Sequence, residues 1–275
     1  MIIKFFTLLF FITGFSFPWG EEGHKLIASK AIDLLIQKIE NIEQYNDFIS
    51  EHSIDPDLRK DIDKTEGVKH YIDIDFYEEF FNGKMILDKN QLISLYGDSV
   101  VTKMGLLPWA SFETFRNLTK AFKEMNRDKI LIYASDLAHY VADAHQPMHT
   151  ILNYDGQLTN QKGIHYRYES LMLEKYLDEL GEETKGSEII YVEEPLDYIF
   201  NYISNSCSLS EVLFASDKMA SKRTGSTNND EYYRLLWFGT KYVTKIQFES
   251  AYNSLASLLY TAWVDAGEPP VNEIN

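Results

Sequence analysis

From Gly23 onwards, apolar residues recur at the three- and four-residue intervals of an α-helix, and this period sets the fold class. Leu26, Ile27, Ala31, Leu34, Leu35 and Ile39 form one such stripe over residues 23–39. The spacing predicts further helices over residues 92–104, 112–125, 129–146, 166–180, 196–222 and 231–266. Several carry stop signals. Pro147 disfavours α geometry at Gln146. Gly181 is placed to close the 166–180 helix, and Gly267 with Pro269 and Pro270 ends the last. β-prone sequence is confined to residues 189–192, while residues 153–163 and 222–230 read as polar loops. No repeat, Pro-rich linker or break in composition divides the chain. The expected fold is all-α, a single multi-helix domain over residues 17–275, packed helix on helix.

The first residues follow another pattern. Lys4 precedes a nearly all-apolar run from Phe5 to Phe15. That run is shorter than the ~18 residues needed to span a bilayer and suits the core of a secretion signal. Gly14 and Ser16 offer small residues at −3 and −1 of a cleavage site. Residues 1–16 are therefore expected to be a signal peptide, with the cut between 16 and 18, and the mature chain to be exported, periplasmic or secreted. Cys207 is the only cysteine, which excludes an intrachain disulfide and a Cys-based zinc site. With 42 acidic against 26 basic residues, the net charge of −16 disfavours a protein that holds nucleic acid through a basic surface.

The histidines matter through placement. His139 and Asp143 are four apart in a predicted helix, so they share a face and can converge on one ion. His149 follows just past the Pro147 break, and His165 and Glu169 are again four apart at the start of the next helix. Imidazole and carboxylate donors on two neighbouring helix ends, with Asp143 able to bridge, suit zinc. One His-x-x-x-Asp is common on helix surfaces. Two such pairs bracketing Pro-x-His within 31 residues make a far denser pattern.

These segments resemble those of the superfamily of zinc-dependent phospholipases C and S1/P1 nucleases. Trp19-Gly20-Glu21-Glu22-Gly23-His24 looks like the Trp-Gly-x-x-x-His start of the mature nucleases, and His70-Tyr71-Ile72-Asp73 is similar to their His-Tyr-Ile-Asp. The stretch from His139 to His149 matches His-x-x-x-Asp-x-x-Gln-Pro-x-His in full. Gly163-Ile164-His165 through Glu169 resembles the phospholipase Gly-x-His-x-x-x-Glu. The resemblance implies three zinc ions. The first would be held by an early aspartate, His70, His139 and Asp143; the second by His149, His165 and Glu169; the third by His24, the Trp19 main chain and a bridging Asp143. For the early aspartate Asp57 is preferred over Asp55, since Pro-Asp followed by basic residues is more like the family's segment. His52 and His145 fall outside the ligand positions and read as ordinary hydrogen-bonded or solvated histidines. In the family, Trp is the first mature residue and its amine binds zinc. Cleavage after Ser16 would leave Phe17 and Pro18 ahead of Trp19, so either a second trimming step occurs or the third site lacks the amine. The absence of the fungal nucleases' disulfides points to a bacterial-type member.

The function this implies is hydrolysis of phosphate esters, with zinc-activated hydroxide attacking phosphorus and His139 and Asp143 central to catalysis. Arg59 and Lys60 are candidates to contact phosphate, and Asp73 a substrate contact or support for His70. The Glu at position 169, the acidic balance and the lack of a basic, aromatic-interleaved groove favour a phospholipase C-type phosphodiesterase. The Trp-Gly start and His70–Asp73 favour a single-strand nuclease or 3′-nucleotidase. A helical zinc-binding module without catalysis is the non-enzymatic alternative. No stable protein partner is inferred.

Overall fold

The computed structural model describes residues 19–183 and 188–274. The expected signal peptide and its cleavage site lie outside them. Helix α1 spans Gly20–Leu35. Short helices follow at Asn46–Glu51 (α2), Asp55–Arg59 (α3) and Glu78–Phe81 (α4). Then come α5 (Lys89–Tyr96), α6 (Asp98–Lys103), α7 (Leu107–Lys123) and α8 (Arg127–Ala144). The rest is α9 (Ile164–Tyr166), α10 (Leu173–Glu183), α11 (Pro195–Thr224) and α12 (Asp230–Asp265). The described residues contain no strand, and the all-helical expectation holds.

Local chemistry sets these boundaries. Asn126 and Asn229 cap α8 and α12 by accepting from Lys129 N at 3.0 Å and Tyr232 N at 2.8 Å. Pro195 opens α11, where its missing N–H costs nothing, and Gly225 in the left-handed region (φ 66°) closes it. The predicted 92–104 helix is broken at Gly97, whose φ of 85° no helix accommodates. Gly181 does not end its helix, which continues to Glu183. The β-prone residues 189–192 are extended but pair with no strand. They lie along α12, where Thr261 Oγ1 accepts from Val192 N at 2.9 Å. A side chain one turn from the next hydroxyl thus replaces a sheet ladder.

The long helices α11 and α12 pack on each other, α7 packs on α8, and α1 lies against both α12 and α8. Helix α8 therefore runs through the middle of the molecule, and every residue from Leu137 to Ala144 is buried. His139 and Asp143 are forced into the core by this packing. A second consequence concerns Gly105. A Cβ there would stand 2.1 Å from the Tyr71 carbonyl oxygen, so only glycine lets the His70–Asp73 segment dock before α7. Asp73 N donates to Met104 O at 2.7 Å and Leu107 N to Tyr71 O at 3.2 Å across that contact.

Candidate metal centre

Helix α8 presents His139 and Asp143 one turn apart with both side chains at 0% exposure. Asp143 sits where the other donors meet. Its Oδ2 lies 3.1 Å from His139 Nε2 and 3.0 Å from His70 Nδ1. Its Oδ1 lies 3.4 Å from His149 Nδ1 and 3.6 Å from His24 Nε2. Asp57, from α3, reaches within 3.5 Å of His70 and 3.7 Å of His139. Asp55 instead faces outward and pairs with His52 at 2.9 Å. On the far side of Asp143, His149, His165 and Glu169 form another group, with His165 Nε2 2.9 Å from Glu169 Oε2. The donors fall into three sets that can each hold an ion: His24, Asp57 and His139; His70, His139 and Asp143; His149, His165 and Glu169.

The segment carrying Glu169 is itself unusual. After α9, residues Arg167–Met172 wind as a π-helical turn before α10 resumes α geometry. Such turns insert a residue into the helical register and recur at functional sites. Arg167 anchors the segment, bonding Asp217 at 2.9 Å and the Tyr232 hydroxyl at 2.9 Å.

The donor chemistry fits zinc. His139 Nε2 faces His70 Nδ1 at 2.9 Å, and His149 Nε2 faces His165 Nε2 at 3.1 Å. Nitrogen lone pairs that converge in this way suit a shared cation. Both nitrogens of His24, Asp57 Oδ2, His70 Nε2 and Asp143 Oδ1 are buried without a hydrogen-bond partner. Orphaned groups of this kind cost roughly 1–3 kcal/mol each, and coordination removes that cost. The outer ring atoms are also fixed. His139 Nδ1 donates to Ser53 O and His149 Nδ1 to His70 O, each at 2.8 Å, which turns the Nε2 lone pairs inward. Gln146 Nε2 donates to Glu169 at 2.6 Å and its Oε1 accepts from Met148 N, so the Gln-Pro break carries a supporting contact.

Electrostatics follow the same geometry. Burial opposes ionisation of Asp143, yet His139 and His149 hold its carboxyl well below the ordinary range. Glu169 is likewise held down against burial, chiefly by His165 and His149. Burial and the nearby His139 keep His24 neutral, with its pKa well below that of free histidine.

Of the donors, His70, His149, His165 and Glu169 line a cleft of about 790 Å³, which Lys60, Lys103, Asp73, Tyr154 and Leu158 also border. Burial, helped by Asp75, pushes Asp73 up to about 7. Trp19 is fully buried, and its indole nitrogen donates to Ala142 O at 2.7 Å, beside Asp143. Arg59 is placed elsewhere. Its guanidinium bonds Asp136 at 2.9 Å and lies 3.5 Å from Glu66, outside the residues that line this cleft. Asp136, one turn before Tyr140 on α8, draws it away, and Lys60 and Lys103 are the cations on the cleft wall. Lys60 Nζ also meets Asp57 Oδ1 at 2.5 Å. Phe200 and Tyr202 of α11 and Tyr232 and Trp237 of α12 are buried and belong to the core. Glu66, buried beside His70, escaped the sequence reading. Its signal is the four-residue spacing to His70, hidden in a segment without helical period.

The family model for zinc dependent phospholipase C matches residues 23–213. Among solved structures, the alpha toxin from Clostridium absonum matches with a TM-score of 0.57 at 14% identity, over 90% of this chain. The chain spans 65% of the toxin's length, and at that identity the likeness is one of fold. No curated protein matches by sequence.

Proposed function

This chain belongs to the zinc dependent phospholipase C family, and from that premise we propose that it is an exported phosphodiesterase that releases phosphorylated headgroups from phospholipids. The observation that carries the reading is the convergence of three donor sets about the buried Asp143, with His70, His149, His165 and Glu169 opening onto the cleft. Zinc held there supplies positive charge to a phosphate and lowers the pKa of water towards ~7. His139 and Asp143 belong to more than one donor pair, so they fix the spacing of the whole centre. Trp19, trimmed to the mature N-terminus, completes the His24 set through its amine in this proposal. Lys60 and Lys103 add cationic charge to the cleft wall in a strongly acidic protein.

The rim favours lipid over nucleic acid. Leu152, Tyr154 and Leu158 stand at the mouth with 37%, 51% and 67% of their surface exposed. Met104 and Met148 extend the apolar lining inward. An acyl-glycerol body is compatible with such a wall, whereas a nucleic-acid backbone calls for rows of Arg and Lys. The export step rests on the apolar N-terminal run.

The test is direct. Mature, zinc-loaded protein is expected to release phosphorylcholine from phosphatidylcholine, and the His139→Ala, Asp143→Ala double variant is expected to be inactive. Release of nucleotides from single-stranded DNA or RNA, with none from lipid, would replace this reading by the nuclease one. N-terminal sequencing of the exported chain checks Trp19.

A further inference from the structure

His70, unlike His139 and His149, has no backbone carbonyl on its outer nitrogen. His139 and His149 each give Nδ1 to a carbonyl, as described above. His70 is turned the other way, with Nδ1 facing Asp143 and His139, while Nε2 is buried without a hydrogen-bond partner. The atom nearest in charge is Glu66 Oε1, at 3.6 Å from His70 Nε2. Glu66 is 1% exposed, one of the few carboxylates buried outside the donor sets.

The carboxylate is held from three sides. Tyr140, on α8 next to His139, donates its hydroxyl to Glu66 Oε1 in a short hydrogen bond. Lys69 Nζ bonds Oε2 at 2.8 Å, and Arg59 Nη2 lies 3.5 Å from Oε1. Arg59 is in turn fixed by Asp136 of α8. The brace therefore ties the His70 segment to the same helix that carries His139 and Asp143. This also gives Arg59 a task that its place outside the cleft left unassigned.

We propose that Glu66 is the positioning residue of the metal centre, holding the outer nitrogen of His70 so that the inner nitrogen presents its lone pair to the site. A neutral imidazole carries one N–H, and a carboxylate at Nε2 selects the tautomer with the proton on that side. Nδ1 is then free to coordinate. A carboxylate behind a metal-binding histidine also raises its basicity, and loss of such a partner weakens metal affinity by about 10–100-fold.

Zinc affinity, measured by competition with a chromophoric chelator, tests this without reference to any substrate. Glu66→Ala is expected to bind its zinc complement 10–100-fold less tightly than the wild type. Glu66→Gln, whose amide oxygen still accepts, is expected to recover part of that loss. Tyr140→Phe frees one side of Glu66 and leaves His70 untouched, so its expected loss is smaller. Wild-type affinity in a folded Glu66→Ala protein overturns the proposal. Should that variant fail to fold, Glu66→Gln decides through the Nε2–H resonance of His70 in the zinc-loaded protein, where Nδ1 is taken by the metal. The wild type is expected to show a downfield Nε2–H resonance protected from solvent exchange and the variant one moved upfield, and an unchanged resonance in the variant is the overturning result.

Discussion

His145 stands two residues past Asp143, fully buried, and takes no part in the donor sets. Its Nδ1 donates to Val141 O at 2.7 Å, and Nε2 accepts from Ser250 Oγ at 3.2 Å. The ring stacks on Tyr202 at 4.5 Å between centroids. That arrangement suits only the neutral ring, and burial lowers its pKa to about 4. The sign follows. The folded protein resists protonation that the unfolded chain accepts near ~6.5, so the stability is present above that pH and is lost as pH falls towards 4. Between pH 7 and pH 4.5 the loss is about 2 kcal/mol. In His145→Gln that component disappears. Denaturant unfolding of both proteins at the two pH values is expected to show a stability gap that narrows by this amount at the lower one. A gap of equal size at both would refute it, since the ligands shared by the two proteins cancel. At this scale the sequence distinguished His52 and His145 from the other histidines because the donors recur on helical faces and at a Pro break. Glu66 and the destination of Arg59 were not legible. Both depend on how α3 and the His70 segment lie against α8, and that is a tertiary fact with no period in the chain.

Among the elements, the most informative is the loop from Leu152 to Gly163. Its composition marked it as a polar loop, but the fold inverts the usual arrangement. Asn153 Oδ1 accepts from Leu158 N at 2.8 Å, Asp155 Oδ1 from Gly163 N at 2.9 Å, and Gln157 Nε2 donates to Leu152 O at 2.7 Å. Gln161 ties the base to Phe214 O and Asp217. The polar side chains thus hold the backbone, and Leu152, Tyr154 and Leu158 are left at the cleft mouth. If the substrate is drawn from lipid, this rim contacts it. Leu158→Ser with Tyr154→Ser is expected to lower hydrolysis of phosphatidylcholine vesicles about ten-fold more than hydrolysis of a soluble phosphorylcholine ester. That factor is about 1.4 kcal/mol, less than the ~1.5–3 kcal/mol of fully burying one leucine. Equal losses on both substrates would place the two residues in the cleft alone. The long helices were readable because their apolar stripes exceed three turns. The extended residues 189–192 misled because β propensity states only a preference for lying flat on a half-buried surface. Here α12, with Ser257 and Thr261, offers that surface.

The whole molecule has one buried cysteine and no disulfide among its described residues, so its centre must be stabilised in another way. Helices α1, α3, α8 and α9, the His70 segment, the turn after Pro147 and the π-helical turn all send donors to one place, drawn from His24 to Glu169 along the chain. A cation there would cross-link the fold as disulfides cross-link many secreted proteins. Chelation is therefore expected to destabilise the protein well beyond loss of activity. With zinc at a thousand times its Kd, each site adds about 4 kcal/mol. For a chain of this size, 1 kcal/mol moves the melting temperature by about 2–4 °C. Removing zinc should thus lower Tm by about 8–16 °C for each site emptied, and adding zinc at neutral pH should restore it. Because ligation needs neutral imidazoles and ionised carboxylates, recovery should fade as pH falls through the histidine range. Calorimetry of the protein with and without chelator, at pH 7.5 and at pH 5, measures both. A melting temperature indifferent to chelator would mean that the donor sets are satisfied without metal, and the zinc reading of the centre would fall with it.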